Sequence, residues 1–235
     1  MIKKADNNII EKKNIEFFSS NSKYQNNVAT IDTYKILYSE ITNFIKSSNK
    51  LLDIGHGGTF DYDTSKVKEI TGLDLDKMID VKNIPKNIRL VEGSALDIPE
   101  DIKNFDTTIV VMLLHHLVGN EVSENLENLD RCLQQIRKTL IDNGKLIIVE
   151  SCVPKWFYLI EKILFKPTSY LIKKFIKHPP AFQFTEEILD KYLKKNNFKN
   201  INFKKIRQGK FILQYGIKVP TFLTPVKTII ITATK

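Results

Sequence analysis

A chain of 235 residues, 42% of them hydrophobic, is long enough to bury one sizeable α/β core, and no uninterrupted run of about 18 apolar residues marks a membrane span. The first residues, MIKKADNNIIEKKN, lack the apolar centre of a secretory signal, so a cytoplasmic location is expected; two cysteines without C-x-x-C spacing give free thiols and no structural zinc. The net charge of +9 admits nucleic acid or an anionic surface as a partner, but Lys, Asn and Ile abound throughout, which spreads most of the excess over a solvated surface.

Residues 1–28 form a polar arm with one apolar pair, Phe17 and Phe18. Ile31, Tyr34, Leu37, Ile41 and Phe44 then recur at helical spacing, predicting an amphipathic helix within 30–48. Strands are predicted at 51–54, 69–75, 88–95, 107–114 and 145–153, the fourth a continuous apolar run such as a central parallel strand carries. Between the last two, Val122, Leu126, Leu129, Leu133, Ile136 and Leu140 step by four and three along a helix stopped by Asp142-Asn143-Gly144. After Cys152 two short, apolar, basic segments are split at Pro167 and closed by Pro179-Pro180. A helix over 185–196 has Thr185 as N-cap, and FILQYGI and VKTIIITAT read as closing, antiparallel strands around a Thr224-Pro225 turn. Alternating strands and helices predict a doubly wound sheet with its ligand at the carboxyl ends of the strands.

LLDIGHGGTFDYDTS, residues 51–65, carries the chemistry. A dinucleotide fingerprint opened by Gly55 needs glycine at 60, where Phe60 stands, and no Gly-Lys-Ser/Thr follows for a phosphate loop. Asp53, Asp61 and Asp63 oppose a phosphate and suit a cation. LLDIGHGG resembles the first motif of class I S-adenosylmethionine-dependent methyltransferases of the small-molecule type. GLDLD resembles their second motif, GSALDIP the motif at the adenine edge, FDTTIVVMLLHHL their fourth strand and LIDNGKLIIVE the turn into strand five, over roughly residues 45–150.

That resemblance implies a Rossmann-like α/β fold. It consists of a mostly parallel seven-stranded sheet with helices on both faces and a helical insertion after strand five, at about 154–182. Residues 1–48 would form an arm and lid helix, and 49–235 the methyltransferase domain. It implies S-adenosyl-L-methionine as cofactor, held by Asp53, Gly55, His56, Gly57, Asp74, Leu75, Ser94, Ala95 and Met112, with Asp74 on the ribose. Three departures stand out. Ser94 replaces the acid of the adenine motif, leaving Asp97 or the Ala95 backbone to substitute. The stretch 59–68 is too short for the usual crossover helix, so Phe60, Asp61, Tyr62 and Asp63 either approach the cofactor or cap a turn. VVMLL in place of N/D-P-P-Y/F argues against adenine or glutamine N-methylation.

A hydroxyl acceptor needs a base, and His115 and His116 end the fourth strand where it would lie; at most one faces it, and either can serve the following loop instead. His178 is a weaker candidate, Glu150 and Ser151 can line the pocket, and Cys152 reads as a buried or pocket-lining thiol. The insertion, from Trp156 to Ile176 with interleaved lysines, reads as a lid for an apolar acceptor. Burial against the sheet, peripheral contact with a membrane or a homodimer face are its alternatives. The expected function is O-methylation of a small hydrophobic or lipid-like molecule. The alternatives are RNA methylation, for which no binding module is visible, and a silent cofactor-binding subunit.

Overall fold

Alternate residues of the central strands point into two separate apolar cores, which is why these strands are apolar without interruption. In the computed structural model, which describes residues 32–76, 84–171, 181–206, 210–212, 218–220 and 224–235, helix α1 (Asp32–Ile45) leads into β1 (Lys50–Ile54), β2 (Glu69–Asp74), β3 (Ile88–Glu92) and β4 (Phe105–Val111). Helix α2 (Val122–Thr139), β5 (Leu140–Cys152), α3 (Lys155–Leu171), α4 (Glu186–Lys195), β6 (Lys199–Ile206), β7 (Lys210–Ile212), β8 (Lys218–Pro220) and β9 (Lys227–Thr234) follow. Leu52, Ile54, Val110, Leu146 and Ile148 face one core with α2 and α4, whereas Leu51, Ile109, Ile147 and Val149 face the other with Leu37, Ile41 and Ile45 of α1. The helical part of the 1–48 segment is thus packed into the core beneath the sheet; the arm before it lies outside the described residues.

The large sheet has the order β3-β2-β1-β4-β5-β9-β6; β1 to β5 are parallel and β9 runs antiparallel to both β5 and β6. This is the expected Rossmann-like α/β sheet, mostly parallel and seven-stranded. The chain reverses direction of travel across the sheet between β1 and β4, so their carboxyl ends open a crevice.

Three expectations need correction. Helix α3 continues through Pro167 to Leu171, so the insertion is not split there. Pro167 is exposed, and so is Ile163, whose carbonyl would have paired with the missing N–H, so the lost bond falls on the exposed side of the helix while Phe165 and Tyr158 anchor the inner face. Helix α2 ends at Thr139, before the Asp142-Asn143-Gly144 signal. Leu140 is already extended and pairs with Phe105, and Asn143, at φ 59°, sits where the β4–β5 register shifts. The sheet's edge strand is β6, not FILQYGI, of which Phe211 and Ile212 lie in β7 and 213–217 fall outside the described residues. Lys199, Lys204 and Lys205 make β6 look like a loop, but lysines are what an edge strand carries. The α4 expectation holds: Thr185 caps it, accepting from Ile188 N at 3.2 Å.

Candidate active site

Past Ile54 the chain turns sharply on three glycines of positive φ, Gly55 (75°), Gly57 (57°) and Gly58 (84°). A Cβ on Gly55 would lie 2.8 Å from Leu113, which closes over the turn. Gly55→Ala should therefore cost about 1–2 kcal/mol from the left-handed backbone alone, more with the Leu113 clash, read as a lower urea midpoint. The turn is pinned by Asp74: Oδ2 accepts Gly57 N at 2.8 Å and Oδ1 accepts Leu75 N at 2.7 Å. His56 folds over Gly72, stacks on Phe60 (5.4 Å between centroids) and accepts Gly58 N on Nδ1 at 3.0 Å. Burial lowers its pKa against the pull of Asp74, so the ring is neutral with its proton on Nε2.

No α-helix joins β1 to β2; a single 3-10 turn, Thr64–Lys66, stands there, capped by Asp63, whose Oδ1 accepts Ser65 N at 3.1 Å and Ser65 Oγ at 2.6 Å. Tyr62 is 2% exposed and its hydroxyl donates to Asp53 Oδ2 at 2.8 Å. Of the four loop residues in question, Asp63 is a cap and Tyr62 a core residue. Burial raises the Asp53 pKa to about 8; the Tyr62 hydrogen bond opposes this, and Asp61 and Asp74 add to it. Burial also raises Asp61, and raises Asp74 despite its backbone hydrogen bonds and His56. Among the described residues none of these three acids has an ion-pair partner. The local field therefore lacks a positive charge.

Beside the turn lies a cleft lined by Gly55, Asp74, Leu75, Ser94, Ala95 and His116 among others. Asp53, His56 and Gly57 stand behind that lining. Met112 also stays out: it takes φ 50°, donates to Val149 O and packs on the α1 side, leaving Leu113 to face the cleft. Ser94 Oγ accepts Leu96 N at 3.1 Å, and Asp97 turns outward toward Arg131 at 3.8 Å, so Asp97 does not take the missing acid's place.

The two histidines diverge on a 3-10 turn, Leu114–His116, with ring centroids 4.1 Å apart. His116 faces the cleft. His115 Nδ1 lies 2.6 Å from Oε1 of Glu150, a carboxylate with no exposure that also accepts Ser151 N at 2.7 Å. A carboxylate there fixes the proton on Nδ1 and leaves the Nε2 lone pair available, with no hydrogen-bond partner among the described residues.

The polar chain continues from Ser151 Oγ to Gln183 Oε1 at 2.7 Å, and Gln183 N donates to Glu161 Oε1 at 3.1 Å. Burial pushes Glu161 up to about 7, although the Gln183 N–H and His115 pull it down. Its Oε2 is buried without a hydrogen bond among the described residues. Glu161 and Gln183 escape sequence reasoning; the available signal was that Glu161 is the one acid between Lys155 and Lys177. Tyr158, Phe165 and Phe184 pack edge to face around Phe182, at 5.5, 5.3 and 5.7 Å, as an aromatic wall beside these groups. Cys152 is buried and its thiol is pushed up by burial and Glu150, which rules out a ready thiolate. His178 lies outside the described residues.

Residues 52–148 match a family model described as a methyltransferase domain. Over those residues the chain resembles the class I S-adenosylmethionine-dependent methyltransferases. A demethylmenaquinone methyltransferase of Lactobacillus johnsonii is 27% identical over 160 residues, covering 62% of this chain and 61% of that protein, so the match spans about three fifths of that curated relative. A 1,6-didemethyltoxoflavin-N1-methyltransferase of Burkholderia thailandensis has the same fold, with a TM-score of 0.60 at 15% identity over 94% of this chain and 85% of that one. A methyltransferase of Methanosarcina mazei gives a TM-score of 0.57 at 16% identity, over 84% and 97% of the two chains.

S-adenosylmethionine is the cofactor of this family, and the methyltransferase domain fits it on its own geometry. The glycine turn exposes backbone, Asp74 borders the cleft, and the uncompensated acids behind it suit a sulfonium and an ammonium. A pH dependence follows. Asp53 keeps its proton to about pH 8, and a nearby cation favours its charged form. Affinity for S-adenosylmethionine should therefore rise with pH until about 8 and then level off, with proton release on binding near neutrality. Calorimetry at pH 7 in two buffers of different ionisation enthalpy measures that release; buffer-independent heats would separate Asp53 from the bound cation.

Proposed function

We propose that this methyltransferase domain transfers a methyl group to a hydroxyl oxygen of a small, apolar molecule. The observation that carries the reading is the 2.6 Å contact of His115 Nδ1 with the buried Glu150 carboxylate. S-adenosylmethionine supplies the electrophilic methyl carbon when bound. Asp74 is the ribose ligand in this reading, with Gly55, Leu75, Ser94 and Ala95 along the adenosine path and Asp53 answering the cationic end. His115 Nε2 accepts the hydroxyl proton as the oxygen–methyl bond forms and the carbon–sulfur bond breaks; Glu150 holds the ring's orientation and stabilises the imidazolium. S-adenosylhomocysteine and the methyl ether leave. The aromatic wall of Tyr158, Phe165 and Phe182 favours an apolar acceptor and excludes water from the line of attack.

A quinone-class acceptor is a second reading, favoured by the relative named for demethylmenaquinone. RNA is disfavoured because much of the basic charge in 191–210 is already paired: Lys194 with Asp190, Lys195 with Asp130, Lys204 with Glu40 and Lys205 with Glu186. Among the described residues no helix is long and apolar enough to cross a membrane. The test is formation of S-adenosylhomocysteine from S-adenosylmethionine with a panel of phenols and reduced quinones. The expected result is turnover above the acceptor-free rate with at least one of them. Tight cofactor binding with no turnover on any acceptor supports the silent subunit instead, for which Ser94 and the shortened loop speak.

A further inference from the structure

Helix α3 is apolar on the wrong side. Its inner face, Tyr158 and Phe165, is buried in the core. Its outer face bears Trp156 (59% exposed), Leu159 (48%), Ile160 (47%), Ile163 (78%) and Leu164 (45%), at steps of one, three and four that form one stripe along the helix. Five of the seven exposed large hydrophobic residues among the described residues are on this one element. Single exposed apolar residues are ordinary, whereas a contiguous stripe marks a surface meant to be covered.

The charges beside the stripe indicate what covers it. Lys155, Lys162 and Lys166, all exposed, follow one another along a single flank of α3. Lys166 is paired with Glu121, Lys155 lies in the field of Glu187, and Lys162 has no ion-pair partner among the described residues. A second copy of this chain packed antiparallel on the stripe would set lysine flank beside lysine flank, which repels. A sheet of lipid with anionic headgroups meets both features at once: the apolar side chains enter the acyl boundary and the lysines stay at headgroup level.

We propose that the outer face of α3 is a docking surface for an anionic membrane. In this arrangement the helix lies in the plane of the interface, with Trp156 at its shallow end. Its inner residues Tyr158 and Glu161 remain beside the acceptor site, so an apolar acceptor dissolved in the bilayer reaches His115 along α3 without crossing bulk water. The docking itself does not depend on the methyltransferase activity.

Trp156 is the only tryptophan in the chain and sits on the stripe, so its emission reports the contact directly. The full chain is titrated with vesicles of equal parts phosphatidylcholine and phosphatidylglycerol, and separately with vesicles of phosphatidylcholine alone. The expected result is a blue shift of Trp156 emission and co-sedimentation with the anionic vesicles, weaker with the neutral ones. Ile160→Glu with Ile163→Glu, both at the surface, should lower the partition coefficient at least about tenfold with an unchanged thermal midpoint. Unshifted emission and unsedimented protein with anionic vesicles overturn the proposal. So does a wild-type dimer in gel filtration that the double variant converts to monomer while neither form binds vesicles.

Discussion

Changing His115 to alanine should lower kcat for a hydroxyl acceptor by about a hundred to ten thousand fold, and leave S-adenosylmethionine affinity within about twofold. The two readouts separate because His115 is turned to Glu150, whereas His116 lines the cleft beside the glycine turn. Alignment and desolvation persist in the variant, so methyl transfer does not stop; what is lost is the group that takes the proton. Glu150→Gln should give a smaller loss in kcat. It keeps the volume and a hydrogen-bond acceptor for Nδ1 but removes the charge that steadies the imidazolium. An alanine variant as active as the wild type would make His115 a structural residue.

The second large effect is on the cofactor. Asp74→Ala should weaken S-adenosylmethionine binding by about a hundredfold or more, since two hydrogen bonds to a charged carboxylate are lost, each worth about 1.5–3 kcal/mol before compensation. A further loss comes from the turn itself, because Gly57 N and Leu75 N lose the oxygens that accept them at 2.8 and 2.7 Å. Asp74→Asn divides the two contributions. Its carbonyl can still accept one loop N–H, so the fold should keep more of its stability than in the alanine variant while cofactor affinity still falls.

What the residues alone reveal depends on how strongly geometry constrains them. The strand at 107–114 is legible because burial on both faces demands an unbroken apolar run, although it ends at Val111, where Met112 takes a positive φ. The missing helix between β1 and β2 is legible by counting: ten residues cannot hold a crossover helix. Asp74 and the glycine turn are legible because their order along the chain is distinctive, and the structure brings Gly55, Asp74, Leu75, Ser94, Ala95 and His116 to one cleft.

Which way a side chain points is harder to read. Asp53 alternates with Ile54, which faces the cleft, and so it lies behind the lining with Tyr62 as its partner. Met112 and Leu113 exchange roles for a similar reason: the left-handed backbone at Met112 rotates the pair. Pro167 predicts a break that the helix avoids, because the lost hydrogen bond falls on its wet side while Tyr158 and Phe165 hold its dry side. Glu161 and Gln183 lie beside His115 only because residues 182–184 return to the carboxyl end of β5, with Phe184 bridging Cys152 and Phe182 N donating to His115 O at 2.9 Å. A contact between residues so far apart in sequence leaves no local pattern.

The central claim is that the cleft beneath the glycine turn holds S-adenosylmethionine through Asp74. Calorimetric titration of the wild type and of Asp74→Ala with the cofactor tests it most directly. The account predicts one site per wild-type chain and a loss of about a hundredfold or more in the variant. Equal affinity in the two proteins, or no binding by the wild type, would contradict it.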